Sequence, residues 1–129
     1  MPGQIKILLV DDDPMVVRMY QRKLTLDGFN LALAYNGEDG LAALKKDQPD
    51  IILLDIMMPK MNGIEMLKKV KADQATKNIP VVILTNLGDR EEDIQKSREL
   101  GACDYWVKAN TPLKEITERI RKILAEKIC

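Results

Sequence analysis

LLVDDDP, residues 8–14, runs an aliphatic segment straight into three consecutive aspartates and a proline. A short apolar run of this kind suits a strand buried on both faces, as in a parallel sheet. The aspartates then fall just past the strand's carboxyl end, where doubly wound sheets hold their ligands. Asp11, Asp12 and Asp13 repel one another there: two unit charges 4 Å apart cost about 4 kcal/mol at an effective dielectric of 20. Asp13 before Pro14 suits the cap and first turn of a helix, which leaves Asp11 and Asp12 to be explained.

The same pattern recurs along the chain. Runs rich in Ile, Leu and Val lie at 5–10, 50–54 and 79–84, with weaker ones at 30–34 and 103–107. Segments of helical period separate them. Val17, Tyr20 and Leu24 share one face of a first helix that stops at Gly28. Gly63 opens another, with Ile64, Leu67 and Val70 inward. Leu113, Ile116, Ile120, Ile123 and Leu124 stripe the last one, with Thr111 as its cap and Pro112 in its first turn. Segment 89–100 has almost no large apolar residues except Ile94 and Leu100, so it is expected to be loosely anchored. Strands alternating with helices predict a doubly wound α/β fold, a parallel sheet covered on both faces with IILL (51–54) and VVIL (81–84) at its centre. No linker or low-complexity tract interrupts it, so residues 1–129 read as one domain.

Composition excludes several function classes. Twenty basic and twenty acidic residues cancel, leaving no global field toward nucleic acid or an anionic membrane. The N-terminal apolar run is too short for a signal peptide, and no stretch approaches the ~18 apolar residues of a membrane span. A cytoplasmic protein is expected. Histidine is absent, and Cys103 and Cys129 read as two isolated thiols, Cys103 as plain packing. Zinc and thiol–histidine chemistry are thereby set aside.

The residues just past each strand carry the chemistry: Asp11 and Asp12 after the first, Asp55 after the third, Thr85 and Asn86 after the fourth, Lys108 after the fifth. Each alone has a plain reading as cap, strand end or surface charge. Together they bring three carboxylates, a hydroxyl and an ammonium to one edge. Clustered carboxylates need raised pKa values or a cation, and an all-oxygen donor set without His or Cys points to a hard ion such as Mg²⁺.

VDD at 10–12, LLDIMMPKMNG at 53–63, LT at 84–85 and VK at 107–108, on five strand–helix repeats, resemble the receiver domain of bacterial two-component response regulators, including its stand-alone chemotaxis type. The resemblance covers essentially the whole chain. It implies a flavodoxin-like five-stranded sheet in the order 2-1-3-4-5. It makes Asp55 the phosphoacceptor, Asp11 and Asp12 the acidic pair, and Asp12, Asp55 and the Met57 backbone carbonyl the direct Mg²⁺ ligands. Thr85 and Tyr105 match the switch pair, Lys108 the cation that meets the phosphoryl group, and Pro59 and Gly63 the loop after the phosphoacceptor. The implied donor is a sensor histidine kinase or histidine phosphotransfer protein. The implied output is a protein target, not yet identified, on the face built from segment 89–100, the fifth strand and the last helix. The only catalysis implied is of the chain's own phosphorylation and dephosphorylation.

Some residues depart from the family pattern. Ala109 stands where proline usually follows the lysine, and the Lys108–Ala109 bond is expected to keep the family's cis geometry. Asn86 replaces a very small residue beside the phosphoryl pocket. Met57 and Leu87 make both variable flanking positions apolar, which predicts a long-lived phosphoryl group. Met57, Met58 and Met61 read as gap fillers and Trp106 as core opposite Tyr105. Two other classes compete: a degenerate receiver working as a phosphorylation-independent interaction module, and a phosphohydrolase using Asp11 and Asp13 as an Asp-x-Asp motif. A flavodoxin-like mononucleotide carrier would need a phosphate loop after the first strand, which this sequence lacks.

Overall fold

β1 (Lys6–Val10), β2 (Asn30–Ala34), β3 (Ile51–Asp55), β4 (Val81–Thr85) and β5 (Asp104–Val107) pair in parallel in the order β2-β1-β3-β4-β5. The computed structural model describes residues 4–58, 61–86, 88–127 and 129. Helices α1 (Pro14–Leu26), α2 (Gly37–Lys46), α3 (Gly63–Ala72), α4 (Glu91–Glu99) and α5 (Leu113–Glu126) connect the strands or close the chain. The register sets Val10 beside Leu54, Asp55 beside Leu84 and Thr85 beside Val107. The carboxyl ends of β1, β3, β4 and β5 therefore line one edge.

Period-two alternation sends successive strand residues to opposite layers. Ile7, Leu9, Ile51, Leu53, Val82, Leu84 and Trp106 pack with Val17, Tyr20 and Leu24 of α1 and Ile116, Ile120 and Ile123 of α5. Leu8, Val10, Ile52, Leu54, Val81 and Ile83 pack with Leu44 of α2 and Met66, Leu67 and Val70 of α3. Both faces of the central strands are fully buried, at about 1.5–3 kcal/mol for each large aliphatic side chain. Trp106 is core, as its alternation with Tyr105 predicts.

The helix starts are set by short polar side chains. Asp13 accepts from the Met15 amide at 2.9 Å with Pro14 in the first turn, and Asn36 and Asn62 cap α2 and α3 in the same way. Gly28, at φ +93°, follows the end of α1. Two expectations at β5–α5 are corrected. Thr111 does not cap α5. Proline holds the residue before it extended, and the helix begins at Leu113 with Pro112 at the cap position and no side-chain cap bond. The Lys108–Ala109 bond is trans, not cis. Without a proline the trans form is favoured by about 3 kcal/mol, and a 3-10 turn over Lys108–Asn110 redirects the chain instead.

A third correction concerns the cysteines, which are not isolated thiols. Cys103, just before β5, and Cys129, beyond α5, are joined as a disulfide with Cα atoms 5.3 Å apart. The β5–α5 unit returns the chain to its own start, a proximity that cysteine spacing alone does not reveal. The cross-link closes a 26-residue separation, for which chain entropy gives about 3 kcal/mol of stabilisation. A reductant should therefore lower the urea midpoint of the oxidised protein but leave Cys103→Ser unmoved. Identical midpoints for the oxidised and reduced wild type would refute the cross-link's contribution.

α4 is the weakly held helix. Ser97 is its one buried residue, Ile94 and Leu100 are half-buried, and Arg90 at its start makes no side-chain cap bond. Among the described residues, no helix is long and apolar enough to cross a membrane.

Candidate functional site

Asp11 follows β1 directly and is fully buried, while Asp12 beside it is exposed. Asp55 ends β3 and is buried. Ligand atoms of Asp11, Asp12 and Asp55 lie within 4.8 Å of one another. Lys108 reaches this edge from the end of β5, with Nζ 2.8 Å from Asp11 Oδ2 and 3.7 Å from Asp55 Oδ1. The other Asp11 oxygen accepts from the Asp13 amide at 3.0 Å. Asp11 is thus satisfied by one cation and one amide, and Lys108 is fixed between two carboxylates.

Asp55 is not satisfied in the same way. Its Oδ1 is buried without a hydrogen-bond partner among the described residues, and its carboxyl is pushed up to about 7, by burial first and by Asp11 next, with Lys108 opposing and Asp12 adding to the rise. The Tyr20 hydroxyl of α1, without a hydrogen-bond partner among the described residues, is pushed up to about 12 by burial first and the Asp11 carboxylate second. One lysine does not balance three carboxylates. An orphaned buried carboxylate oxygen within a set of hard oxygen donors fits a small divalent cation such as Mg²⁺.

The backbone around Asp55 is closely set. The Gly63 amide donates to the Ile56 carbonyl at 2.8 Å, and a Cβ at Gly63 would lie 2.2 Å from the Asp55 carbonyl oxygen. Only glycine lets α3 start this close to the strand end. Met57 lies two residues past Asp55 and is 55% exposed, so it does not fill a gap as expected, whereas Met58 and Met61 pack partly buried against the core. Pro59 and Leu87 lie outside the described residues.

Thr85 ends β4, fully buried, and its hydroxyl donates to the Trp106 carbonyl across a long 3.5 Å. That bond is at the limit of hydrogen-bond length, so turning the hydroxyl elsewhere sacrifices little. Asn86 next to it is exposed, and its backbone forms a turn with Asp89 through a 2.7 Å bond from its amide to the Asp89 carboxylate. Tyr105 is half-buried, with the Arg98 guanidinium carbon 4.3 Å from its ring centroid. The Arg98 contact rests on tertiary geometry, which the reading of segment 89–100 as loosely anchored does not reveal.

Asp13 Oδ1 accepts from the Met15 amide and so serves as the cap of α1, the role its place before Pro14 predicts. A carboxylate, an ammonium and a buried hydroxyl at one sheet edge have the chemistry to receive a phosphoryl group, a transfer that needs chiefly positioning and charge neutralisation.

Residues 7–121 match the family model of the response regulator receiver domain. The chain is 44% identical over 119 residues to the transcriptional regulatory protein CpxR of Klebsiella pneumoniae, across 92% of this chain and 49% of that protein. It is 44% identical over 103 residues to the response regulator PleD of Caulobacter vibrioides, across 80% of this chain and 22% of PleD. The chain spans about half the length, or less, of the curated relatives it matches. A CheY-like receiver domain protein from Methanospirillum hungatei superposes with a TM-score of 0.88 at 26% identity, covering 96% of each chain. The phosphorylated cyanobacterial phytochrome response regulator RcpA gives 0.82 at 29% identity, covering 97% of this chain and 96% of its own.

Proposed function

The chain belongs to the family of response regulator receiver domains, and we propose that its switch is the transfer of a phosphoryl group from a phosphohistidine onto Asp55. The observation that carries this reading is the convergence of Asp11, Asp12 and Asp55 with Lys108 lodged between two of them. Residues 1–129 act as one receiver domain in this reading. The donor is a sensor histidine kinase or a histidine phosphotransfer protein.

An Asp55 oxygen forms the new P–O bond as the donor's P–N bond breaks, and the freed imidazole takes up a proton. Asp12, Asp55 and the Met57 backbone carbonyl would hold Mg²⁺, with Asp11 supporting them. Bound there, the ion supplies neutralisation of the phosphoryl oxygens and of the carboxylates. Lys108 exchanges part of its contact with Asp55 for a phosphoryl oxygen. Thr85 releases its long bond to Trp106 and donates to another, and Tyr105 follows. α4, thinly anchored, shifts with them, which changes what the α4–β5–α5 face binds. With balanced charge, this chain offers no general field for nucleic acid, and we assign its output to protein partners.

The test is intact-mass measurement after incubation with acetyl phosphate in Mg²⁺ or in chelator. One base-labile phosphoryl adduct in Mg²⁺ and none in chelator is expected. No adduct in either would favour a phosphorylation-independent interaction module, and steady turnover of phosphate esters an enzyme. Met57 gives a further prediction. Its exposed thioether cannot orient a water toward the phosphoryl group, so Met57→Asn should shorten the adduct's lifetime by about threefold or more. An unchanged decay rate would remove Met57 from the account.

A further inference from the structure

Arg98 lies on α4 with its guanidinium carbon 4.3 Å from the Tyr105 ring centroid, well inside the distance at which a cation is attracted to an aromatic face. The rest of α4 holds little else: Ser97 is its one buried residue, and Ile94 within it and Leu100 at its end pack only partly against the core. Tyr105 is therefore gripped from outside by a helix that is itself poorly anchored. In the same structure the Thr85 hydroxyl is directed at the Trp106 carbonyl in β5, not at the acidic cluster. We infer that Arg98 is a positioning residue that holds the Tyr105 ring in the unphosphorylated arrangement and so opposes the switch.

This rests on the reading of Asp55 as phosphoacceptor. The guanidinium adds stability only to the conformer in which the ring lies beneath it. A contact made in one state alone biases the equilibrium by its own free energy, and an exposed cation–π pair is worth about a two- to fivefold change in population. Arg98 is exposed, so replacing it removes the contact without opening the core. The planar guanidinium covers the ring better than an ammonium does, so lysine should restore only part of the effect.

The test follows adduct formation on Asp55 from acetyl phosphate in Mg²⁺, together with the ring resonances of ¹³C-labelled Tyr105. Arg98→Gln should accelerate adduct formation about threefold and Arg98→Lys less. The Arg98→Gln effect should persist in Tyr105→Phe, which keeps the aromatic face, and vanish in Tyr105→Leu, which does not. Equal rates for Arg98→Gln and wild type, or the same acceleration in Tyr105→Leu, would overturn the inference. A wild type that forms no adduct refutes the phosphoacceptor reading, and the resonances then decide the matter. Displaced Tyr105 ring signals in unphosphorylated Arg98→Gln support the contact, and unmoved signals overturn it.

Discussion

Asp55→Asn should abolish the phosphoryl adduct and at the same time make the protein more stable. Both results follow from one residue's surroundings. The amide presents no anionic oxygen, so no acyl phosphate forms. The carboxylate is buried, lacks a hydrogen-bond partner at Oδ1 among the described residues and stands beside two others, which pushes it up to about 7 from an ordinary 3.8. An acid whose folded pKa exceeds its unfolded one binds more protons in the native state between those values. Stability then falls as pH rises from about 4 to about 7, and the loss is complete above that. In chelator, Asp55→Asn should gain little near pH 4 and up to about 4 kcal/mol near pH 8, read from urea midpoints at the two pH values. Mg²⁺ should narrow the gap by stabilising only the wild type. An adduct persisting in Asp55→Asn would move the phosphoacceptor elsewhere, and a destabilised variant would mean that Asp55 is better satisfied than its contacts imply.

Such a site is legible where chemistry and topology coincide. Asp11, Asp55 and Thr85 each follow an aliphatic run and Lys108 follows the weaker run at 103–107, and a parallel sheet has no choice but to bring the ends of its adjacent strands together. The two layers of the core and the caps at Asp13 and Gly28 were legible for the same reason, since each depends on local pattern. What escaped depends on long-range geometry or on small energy differences. Nothing local says that Cys129 returns to Cys103, or that Arg98 on a polar helix finds the Tyr105 ring. Met66 is fully buried beside the expected Leu67 and Val70 because α3 is covered by α2 as well as by the sheet. The Lys108–Ala109 bond is trans because the cost of a cis bond before alanine outweighs the family's proline-dependent geometry. A 3-10 turn delivers Lys108 to Asp11 equally well.

Lys108→Ala should slow phosphoryl transfer by about a hundredfold while tightening Mg²⁺ binding, two effects of opposite sign from one charge. Lys108 Nζ sits 2.8 Å from Asp11 and 3.7 Å from Asp55, in a setting that excludes most water. A cation preorganised where charge develops on a transferring group is typically worth 10²- to 10³-fold in rate, because no solvent must reorganise to replace it. Before transfer, however, the same ammonium competes with a metal for the carboxylates. Its removal leaves Asp11 buried with only the Asp13 amide as partner, and the unbalanced charge deepens the field that a divalent ion feels. The metal-free variant should lose about 3 kcal/mol of stability, the usual result of removing one member of a buried ion pair, and Mg²⁺ should restore much of it. A variant that was merely misfolded would lose metal affinity along with transfer. Calorimetric Mg²⁺ titration beside the acetyl phosphate assay separates the two: weaker binding together with slower transfer would show that Lys108 supports the fold of the site rather than the charge of the phosphoryl group.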